Sequence, residues 1–266
     1  MTDDVLHRSR ETFGPNAEAY RTSESHGAAE ELARMVRLVR PTPGERALDV
    51  ASGGGHTGVA LALAGARVTA LDATPPMLAQ THQLAVQRGV AVERVEADAH
   101  ALPFPDAAFT VVACRIAPHH FRDLPRAVAE WARVLAPGGR LYLLDTSSWD
   151  GDAAEAFINA LEVARDPSHV HAHGRASWRR LLGDAGFAVE HDDLRAHTYV
   201  LETWLARLKA PPERRAEVHA LLAGATDALR ARYRVDLAAG TLETAHYEAL
   251  ARRRGGGSAL GSAPLQ

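Results

Sequence analysis

The chain has 266 residues and almost no cysteine or lysine: Cys114 and Lys209 are the only examples of each. A single cysteine excludes an internal disulfide bond. The formal net charge of −3 gives no reason to expect nucleic acid as a bulk electrostatic partner. No apolar run is long enough to span a bilayer, and the polar start of the chain has no apolar signal segment. We therefore expect a cytoplasmic protein with no membrane partner.

The composition is that of an ordinary globular domain, with 46% hydrophobic and 24% charged residues. The most informative stretch is 47–58, ALDVASGGGHTG, in which an apolar run carrying Asp49 breaks into three glycines before a helix-like pattern. Strand, glycine turn and helix in this order bring a nucleotide close to the backbone in doubly wound α/β domains. Glycine suits such a turn because a Cβ would block that approach.

The glycines alone do not identify the nucleotide. Gly53, Gly55 and Gly58 match G-x-G-x-x-G, which is typical of NAD-binding domains, and a glycine-rich turn without a ligand has the same pattern. Two acids separate these interpretations. Asp49 lies inside the first predicted strand, where a dinucleotide-binding domain usually stays apolar, and Asp98 ends a later one. These positions favour a cofactor other than NAD.

Apolar strands and amphipathic helices alternate along most of the chain. The pattern predicts strands at 46–51, 67–72, 92–97, 109–114, 140–145, 187–200 and 241–252. It predicts helices at 25–39, 57–64, 75–88, 124–135, 152–165, 176–185 and 202–232. The turn at 137–139 should end the fourth of these helices. Together these elements predict an α/β fold: a doubly wound, Rossmann-like, seven-stranded and mostly parallel sheet with helices on both faces.

We expect one domain over residues 1–254. It would have an N-terminal helical lid over about 1–40 and helical insertions after the fifth strand. The glycine run that begins at Gly255 predicts a flexible tail over 255–266.

Several strings resemble the class I S-adenosylmethionine (SAM)-dependent methyltransferases, over roughly residues 20–252. The glycine stretch is similar to the family's LDxGxGxG motif, 97–112 (ADAHALPFPDAAFTVV) to its third- and fourth-strand segment, and 133–139 (RVLAPGG) to its RVLKPGG signature. Residues 114–121 and 165–170 resemble elements of a small-molecule branch near the quinone C-methyltransferases. The chain lacks the C-terminal segment characteristic of the quinone enzymes, so a quinone acceptor is not carried over. The resemblance implies methyl transfer from SAM to a small-molecule acceptor.

The resemblance also implies a SAM site. Asp72 would accept hydrogen bonds from the ribose hydroxyls and Asp98 from the adenine amine. Asp49 either accepts from the SAM ammonium or only fixes the loop, and Met77 either packs on adenine or is an ordinary core residue. The expected cofactor-binding residues are Tyr20, Asp49, Ala51, Gly53, Gly54, Gly55, Asp72, Ala73, Met77, Asp98, Ala99 and Arg115.

His119 and His120 follow the fourth strand, on the crevice side of such a sheet. Either is a candidate general base for a hydroxyl, a thiol or an acidic carbon, because histidine has an unperturbed pKa near neutrality. A helix cap and a packed ring are the alternative. The acceptor pocket is expected from Tyr20, His120, Arg165 and His169.

His169, His171 and His173 alternate, and on a strand they would share one face and could hold a metal. The segment falls between two predicted helices, however, and no carboxylate or cysteine completes a ligand set. We therefore predict a solvated loop and no metal. An NAD-dependent oxidoreductase and a non-catalytic SAM-binding protein remain the alternative functions. No motif identifies the acceptor atom or the oligomeric state.

Overall fold

The computed structural model describes residues 10–11, 13–22 and 27–255. Its seven strands form one sheet of order β3-β2-β1-β4-β5-β7-β6. The strands are β1 (Arg46–Val50), β2 (Arg67–Asp72), β3 (Val92–Glu96), β4 (Phe109–Arg115), β5 (Leu135–Ser147), β6 (Phe187–Val200) and β7 (Thr241–Arg253). The first five run parallel, whereas β7 is antiparallel to both β5 and β6. The predicted doubly wound, mostly parallel sheet is confirmed.

Helices cover both faces of this sheet. The α-helices of the described residues are α1 (Ala17–Arg21), α2 (Ala29–Val39), α3 (His56–Leu63), α4 (Pro75–Gln87), α5 (Leu124–Val134), α6 (Asp152–Arg165), α7 (Arg175–Asp184), α8 (Leu201–Ala206), α9 (Pro212–Gly224) and α10 (Asp227–Arg232). Alternate residues of β4 supply two separate cores, because successive side chains of a strand point to opposite faces. Val112 packs in the cluster that contains Trp131 of α5, and Val111 in the cluster that contains Met35 of α2.

Two boundaries differ from the sequence prediction. The helix expected over 202–232 is three helices. Lys209 adopts a left-handed φ of 52°, and Pro211 precedes α9, which begins at Pro212. The second break follows α9, where Ala225 is extended and Thr226 caps α10 by accepting from the Leu229 amide. The turn at 137–139 does not precede the fifth strand but lies within β5. The register with β4 jumps from Phe109↔Leu135 to Val111↔Arg140, so these residues bulge from the ladder, with Gly138 at φ 75°.

Helices α6, α8, α9 and α10 supply much of a third core, which is separate from the two cores on the sheet faces. Trp178 of α7 packs instead in the cluster that contains Trp131. Trp204, Tyr233 and Leu161 are buried in the third core, and the Tyr233 hydroxyl donates to the Ala154 carbonyl at 2.8 Å. This insertion brings α6 and α8 to the carboxyl end of the parallel strands. None of the helices in the described ranges has both the length and the apolar character needed to cross a membrane. The predicted lid falls partly, and the predicted tail almost wholly, outside the described residues.

Candidate functional site

The loop between β1 and α3 has a left-handed backbone at three positions, two of which are glycines. Ala51, Gly53 and Gly55 have φ values of 53°, 52° and 89°, a left-handed region that is costly for residues with a Cβ. A Cβ on Gly55 would lie 2.8 Å from the Cα of Thr81, and one on Gly54 would lie 2.9 Å from the backbone nitrogen of Arg21 in α1. The loop therefore packs closely against α4 and against the N-terminal segment.

Asp49 lies beneath this loop and is fully buried. Its Oδ2 accepts a hydrogen bond from the Gly58 amide at 2.8 Å and so ties β1 to the first turn of α3. Burial raises the pKa of Asp49 to about 7, because a desolvated carboxylate disfavours its charged form. Asp49 is not among the residues that line the neighbouring cleft. The geometry favours the loop-fixing alternative for this acid.

Asp72 and Asp98 sit at successive strand ends, and both line the cleft. Asp72 ends β2, and its two oxygens accept from the amides of Gly53 at 2.9 Å and Thr74 at 2.8 Å. Asp98 follows β3 and accepts from the His100 amide at 2.9 Å and from Arg122 at 3.0 Å. Burial acts to raise the pKa of Asp98, but these hydrogen bonds and charges lower it overall.

One cleft of about 1370 Å³, its open mouth included, runs along the carboxyl ends of the parallel strands. The glycine loop, the ends of β2 and β4, the N-terminal segment and the insertion all contribute to its lining. All the predicted cofactor-binding residues except Asp49 and Gly55 line it. Ser52 lines it as well, and its hydroxyl is buried without a partner among the described residues.

Arg115 ends β4 and joins the sheet to the N-terminal helices. Its Nε donates to Thr57 at 3.1 Å, and its Nη1 donates to Glu31 of α2 at 2.5 Å. The guanidinium is buried and lines the cleft. Arg115 therefore holds α2 over the same end of the sheet as the glycine loop.

Aromatic side chains of the N-terminal segment close the cleft from above. Phe13 packs edge-on against Tyr20 and against His120, with ring centroids 5.6 and 4.9 Å apart. All three rings line the cleft. Burial raises the pKa of Tyr20 to about 12, so its hydroxyl stays protonated at neutral pH. The contact between Phe13 and His120 brings the predicted lid onto the turn that carries His119 and His120.

His119 lines the cleft and pairs with Asp145, which is fully buried and does not line it. The His119 Nδ1 lies 2.6 Å from the Asp145 Oδ1. Burial raises the pKa of Asp145 well above its usual value, and its Oδ2 has no partner among the described residues. The two groups titrate as a unit. Burial lowers the pKa of His119 to about 4, because a desolvated imidazolium is disfavoured, so its ring is neutral at pH 7.

His120 is held differently from its neighbour. Its Nδ1 lies 3.1 Å from the Ser168 carbonyl and 3.2 Å from the Ser168 hydroxyl. Burial, and then the charge of His119, lowers the pKa of His120 to about 4. Ser168 in turn donates to Asp166 through both its amide and its hydroxyl, at 2.8 and 2.6 Å. His120 therefore faces the cleft as a neutral ring fixed by the 165–170 element.

The other two predicted acceptor residues have different positions. Arg165 lines the cleft, donates to Glu162 at 2.8 Å and stacks 4.5 Å from the Trp204 ring centroid. His169 does not line the cleft. It lies behind His119, with ring centroids 5.6 Å apart, and its Nε2 bonds the Asn159 Oδ1 at 2.9 Å.

The alternating histidines do not form one set, and the expectation that no carboxylate joins them is wrong. His169 turns to α6 at Asn159, whereas His171 and His173 pack together with ring centroids 4.5 Å apart. Glu155, also on α6, lies beside them, with its Oε1 2.7 Å from the His171 Nε2. The sequence could not show this because Glu155 is 16 residues from His171.

Sequence reasoning also missed residues that no motif marks. Asp145, the buried partner of His119, ends the predicted fifth strand, and an acid at that position was the available signal. Phe13, Glu162, Tyr199 and Arg207 line the cleft from the N-terminal segment and from the insertion. The Arg207 guanidinium lies 5.9 Å from the Tyr199 ring centroid. Among the described residues it has no hydrogen bond or ion pair, unlike Arg115, Arg122 and Arg165.

Comparison with known proteins agrees with this architecture. The methyltransferase domain family matches residues 48–143. YcgJ of Bacillus subtilis, an uncharacterized methyltransferase, is 32% identical over 82% of this chain and 87% of its own length. Its crystal structure superposes with a TM-score of 0.78 over 86% of this chain and 100% of that chain. A candidate methyltransferase from Bacillus halodurans C-125 gives a TM-score of 0.82 at 31% identity, over 85% of this chain and 100% of that one.

A shorter match covers less than half of the chain. The demethylmenaquinone methyltransferase of Thermus thermophilus is 44% identical over 42% of this chain and 52% of its own length. The sheet, the glycine loop and these relatives define the class. The chain belongs to the class I SAM-dependent methyltransferases, enzymes that take a methyl group from SAM.

Proposed function

We propose that this chain binds SAM over the ends of β1, β2 and β3 and transfers its methyl group to a small-molecule acceptor held between the N-terminal segment and the insertion. The observation that carries the proposal is the single continuous cleft. It runs from the glycine loop and the two strand-end acids to His119, the partner of Asp145, and to Arg165. In this proposal the described helices α1 and α2 belong to the lid, and the whole of residues 1–254 acts as one domain.

The cofactor end of the cleft fits SAM by the chemistry of its groups. Asp72 has two carboxylate oxygens, each with a free lone pair beside its backbone hydrogen bond, which suits a ribose diol. Ser52 offers a buried hydroxyl that lacks a partner among the described residues. Met77 and Ala99 supply apolar walls between the acids. When bound there, SAM would supply an electrophilic methyl carbon on a positively charged sulfur.

The His119–Asp145 pair is the proposed general base. With Asp145 ionised, the carboxylate holds the proton on the His119 Nδ1 and leaves the Nε2 lone pair for a proton of the acceptor. When His119 takes up that proton, the Asp145 carboxylate beside its Nδ1 offsets the new positive charge. Loss of its proton makes a hydroxyl, a thiol or an acidic carbon a competent nucleophile. The neutral ring of His120 packs beside the base and shapes the acceptor space.

The acceptor end favours a small aromatic molecule that carries an anionic group. Phe13, Tyr20 and Tyr199 line it with ring surfaces. Arg165 is already neutralised by Glu162, but Arg207 has no such partner among the described residues. A buried or half-buried cation without a counter-ion is costly, so an anionic group of the acceptor would complete the site.

Calorimetric titration tests the cofactor assignment. We expect saturable binding of SAM and of its demethylated product, S-adenosylhomocysteine, and no binding of NAD⁺. Saturable binding of NAD⁺ with none of SAM would support the oxidoreductase alternative and overturn the proposal.

Transfer is tested by the release of S-adenosylhomocysteine with a panel of phenols, phenolic carboxylates and enolisable β-dicarbonyl compounds. We expect turnover with an anionic aromatic member of the panel. A variant Arg207→Met should raise the KM for that compound and not for its neutral ester. SAM binding with no turnover on any member would support a non-catalytic SAM-binding protein.

A further inference from the structure

A polar cluster lies outside the cleft, on the segment between α6 and α7. The side-chain ligand atoms of Glu155, His171 and His173 all lie within 4.8 Å of one another. The two histidines are separated by one residue and present their rings to the same side, in edge-on contact. The carboxylate reaches them from α6. This arrangement brings two imidazoles and one carboxylate to a common point.

The segment that carries the histidines is fixed in place by α6 and β5. Asn159, one turn after Glu155 on α6, accepts from the Ala172 amide at 2.8 Å and donates to the Ala172 carbonyl at 3.2 Å. Ser147 of β5 donates to the His173 carbonyl at 2.7 Å. The backbone that carries the two histidines is therefore fixed by hydrogen bonds that do not involve the three ligand side chains. Preorganisation of this kind lowers the cost of binding a ligand.

The donor atoms suit a transition metal. Two histidines and one carboxylate are a common zinc ligand set, usually completed by a fourth ligand. Tetrahedral zinc ligands lie roughly 3.3 Å apart at ordinary bond lengths, so small side-chain rotations are enough to bring the three atoms into range. Imidazole nitrogens and a carboxylate oxygen are all ligand types that zinc accepts.

A fourth polar atom points to a ligand at the same place. The hydroxyl of Ser148 is buried and has no partner among the described residues. A Cβ placed on Gly174 would lie 2.9 Å from this hydroxyl and 3.0 Å from the Glu155 Oε2, so the two oxygens flank the same glycine. Arg180 adds positive charge near His173, but its side chain is exposed, so solvent screens it.

We propose that Glu155, His171 and His173 bind one divalent transition-metal ion of the zinc type. The fourth position would be filled by water or by the Ser148 hydroxyl. The Glu155–His171 hydrogen bond of 2.7 Å takes the place of the metal when no ion is bound.

The consequence for the reaction is positional. The amides of Val170 and His171 both donate to the carbonyl of His119, at 2.8 and 3.1 Å. An ion on the His171 side chain therefore fixes the segment that holds the backbone of the proposed base. The ion itself lies outside the cleft lining and is not required to touch the acceptor.

The test uses the full chain without a polyhistidine tag, stripped with EDTA and titrated with ZnCl₂ in a calorimeter. Cobalt(II), as a zinc substitute, is titrated in parallel and followed by its visible absorption. We expect one ion per chain. Both Glu155→Gln and His173→Ala should weaken binding on the order of 100-fold or more, since each removes a ligand. The exposed His82→Ala on α4 is the matched control and should bind as the unchanged chain does.

Circular dichroism of each variant checks that the fold is intact, and Glu155→Gln keeps the side-chain shape if His173→Ala does not fold. Amide hydrogen exchange at Val170 and His171 should slow when zinc is added. Zinc affinity that is equal in the unchanged chain and in both ligand variants would overturn the proposal. So would the absence of one-to-one binding at micromolar zinc, which would show that the cluster is only a hydrogen-bonded contact.

Discussion

The two ends of the cleft are built in different ways. At the cofactor end, each strand-end acid has one local partner: Asp72 and Asp98 each bond an amide two residues away. Asp72 also bonds the Gly53 amide 19 residues away, and Asp98 bonds the Arg122 side chain 24 residues away. At the acceptor end the two histidines have distant partners only: 26 residues separate His119 from Asp145, and 48 separate His120 from Ser168. The first end is therefore built partly from a short-range motif, whereas the histidines of the second are positioned by the whole fold.

The charges differ in the same way. The acids of the cofactor end are satisfied largely by backbone amides, which any sequence supplies once the loop has formed. The acceptor end pairs side chain with side chain, as in His119 with Asp145 and Arg165 with Glu162. A buried pair of this kind depends on both members, since removing one leaves the other uncompensated. Substitutions at the acceptor end should therefore affect chemistry, and those at the cofactor end should affect affinity.

The largest effect is expected at the proposed base. His119→Ala removes the proton acceptor, and Asp145→Asn removes the carboxylate that holds its tautomer. We expect either change to lower the rate of methyl transfer ~10²–10⁴-fold, while the dissociation constant of SAM stays within a few-fold. The measurement is S-adenosylhomocysteine release with the best acceptor of the panel, beside calorimetric SAM affinity.

His120→Ala is the matched comparison, because the two rings are neighbours in the same cleft. Its ring is fixed by Ser168 and has no carboxylate partner, so we expect a smaller fall in rate, expressed in the KM of the acceptor. If His120→Ala lowers the rate more than His119→Ala does, with both variants folded, then the base is His120 and the proposal for His119 is wrong.

The next effect is expected at the ribose acid of the cofactor end. Asp72→Ala removes a carboxylate placed for charge-assisted hydrogen bonds to a diol, which should cost about 1.5–3 kcal/mol, or roughly 10- to 150-fold in the dissociation constant of SAM. The fold should persist, which circular dichroism checks. An unchanged dissociation constant would show that the ribose binds elsewhere, and the contrast between affinity and chemistry would then fail.

The same contrast explains how much the sequence could predict. The sheet and most element boundaries were predicted from apolar periodicity, and the roles of Asp72 and Asp98 were predicted from the resemblance to the methyltransferases, with both acids at strand ends. The partners of the acceptor end did not follow. Phe13 reaches His120 only after the N-terminal segment folds over the cleft, and Glu155 reaches His171 only after α6 packs on the next segment. Such contacts depend on tertiary packing, which local sequence patterns do not predict.

The smallest effect on ligand binding is expected at Asp49. This residue tests which acids bind the cofactor and which only support the glycine loop. Its pKa is raised by burial from an unfolded value near 4 to about 7. Between these pH values the native chain retains a proton that the unfolded chain has lost, so the contribution of this group to stability falls as the pH rises through that window. Asp49→Asn keeps an oxygen for the Gly58 amide and removes the titration.

We therefore expect Asp49→Asn to match the unchanged chain in urea unfolding at pH 4 and to be more stable at pH 8, by roughly 4 kcal/mol at most. The dissociation constant of SAM should change less than about twofold, because Asp49 does not line the cleft. The exposed Asp106→Asn, whose partner is Arg133 at 3.0 Å, serves as control and should stay within about 0.5 kcal/mol at both pH values. A tenfold loss of SAM affinity in Asp49→Asn would instead place this acid in the cofactor site. The residues beneath the glycine loop would then contribute to cofactor binding and not only to the stability of the fold.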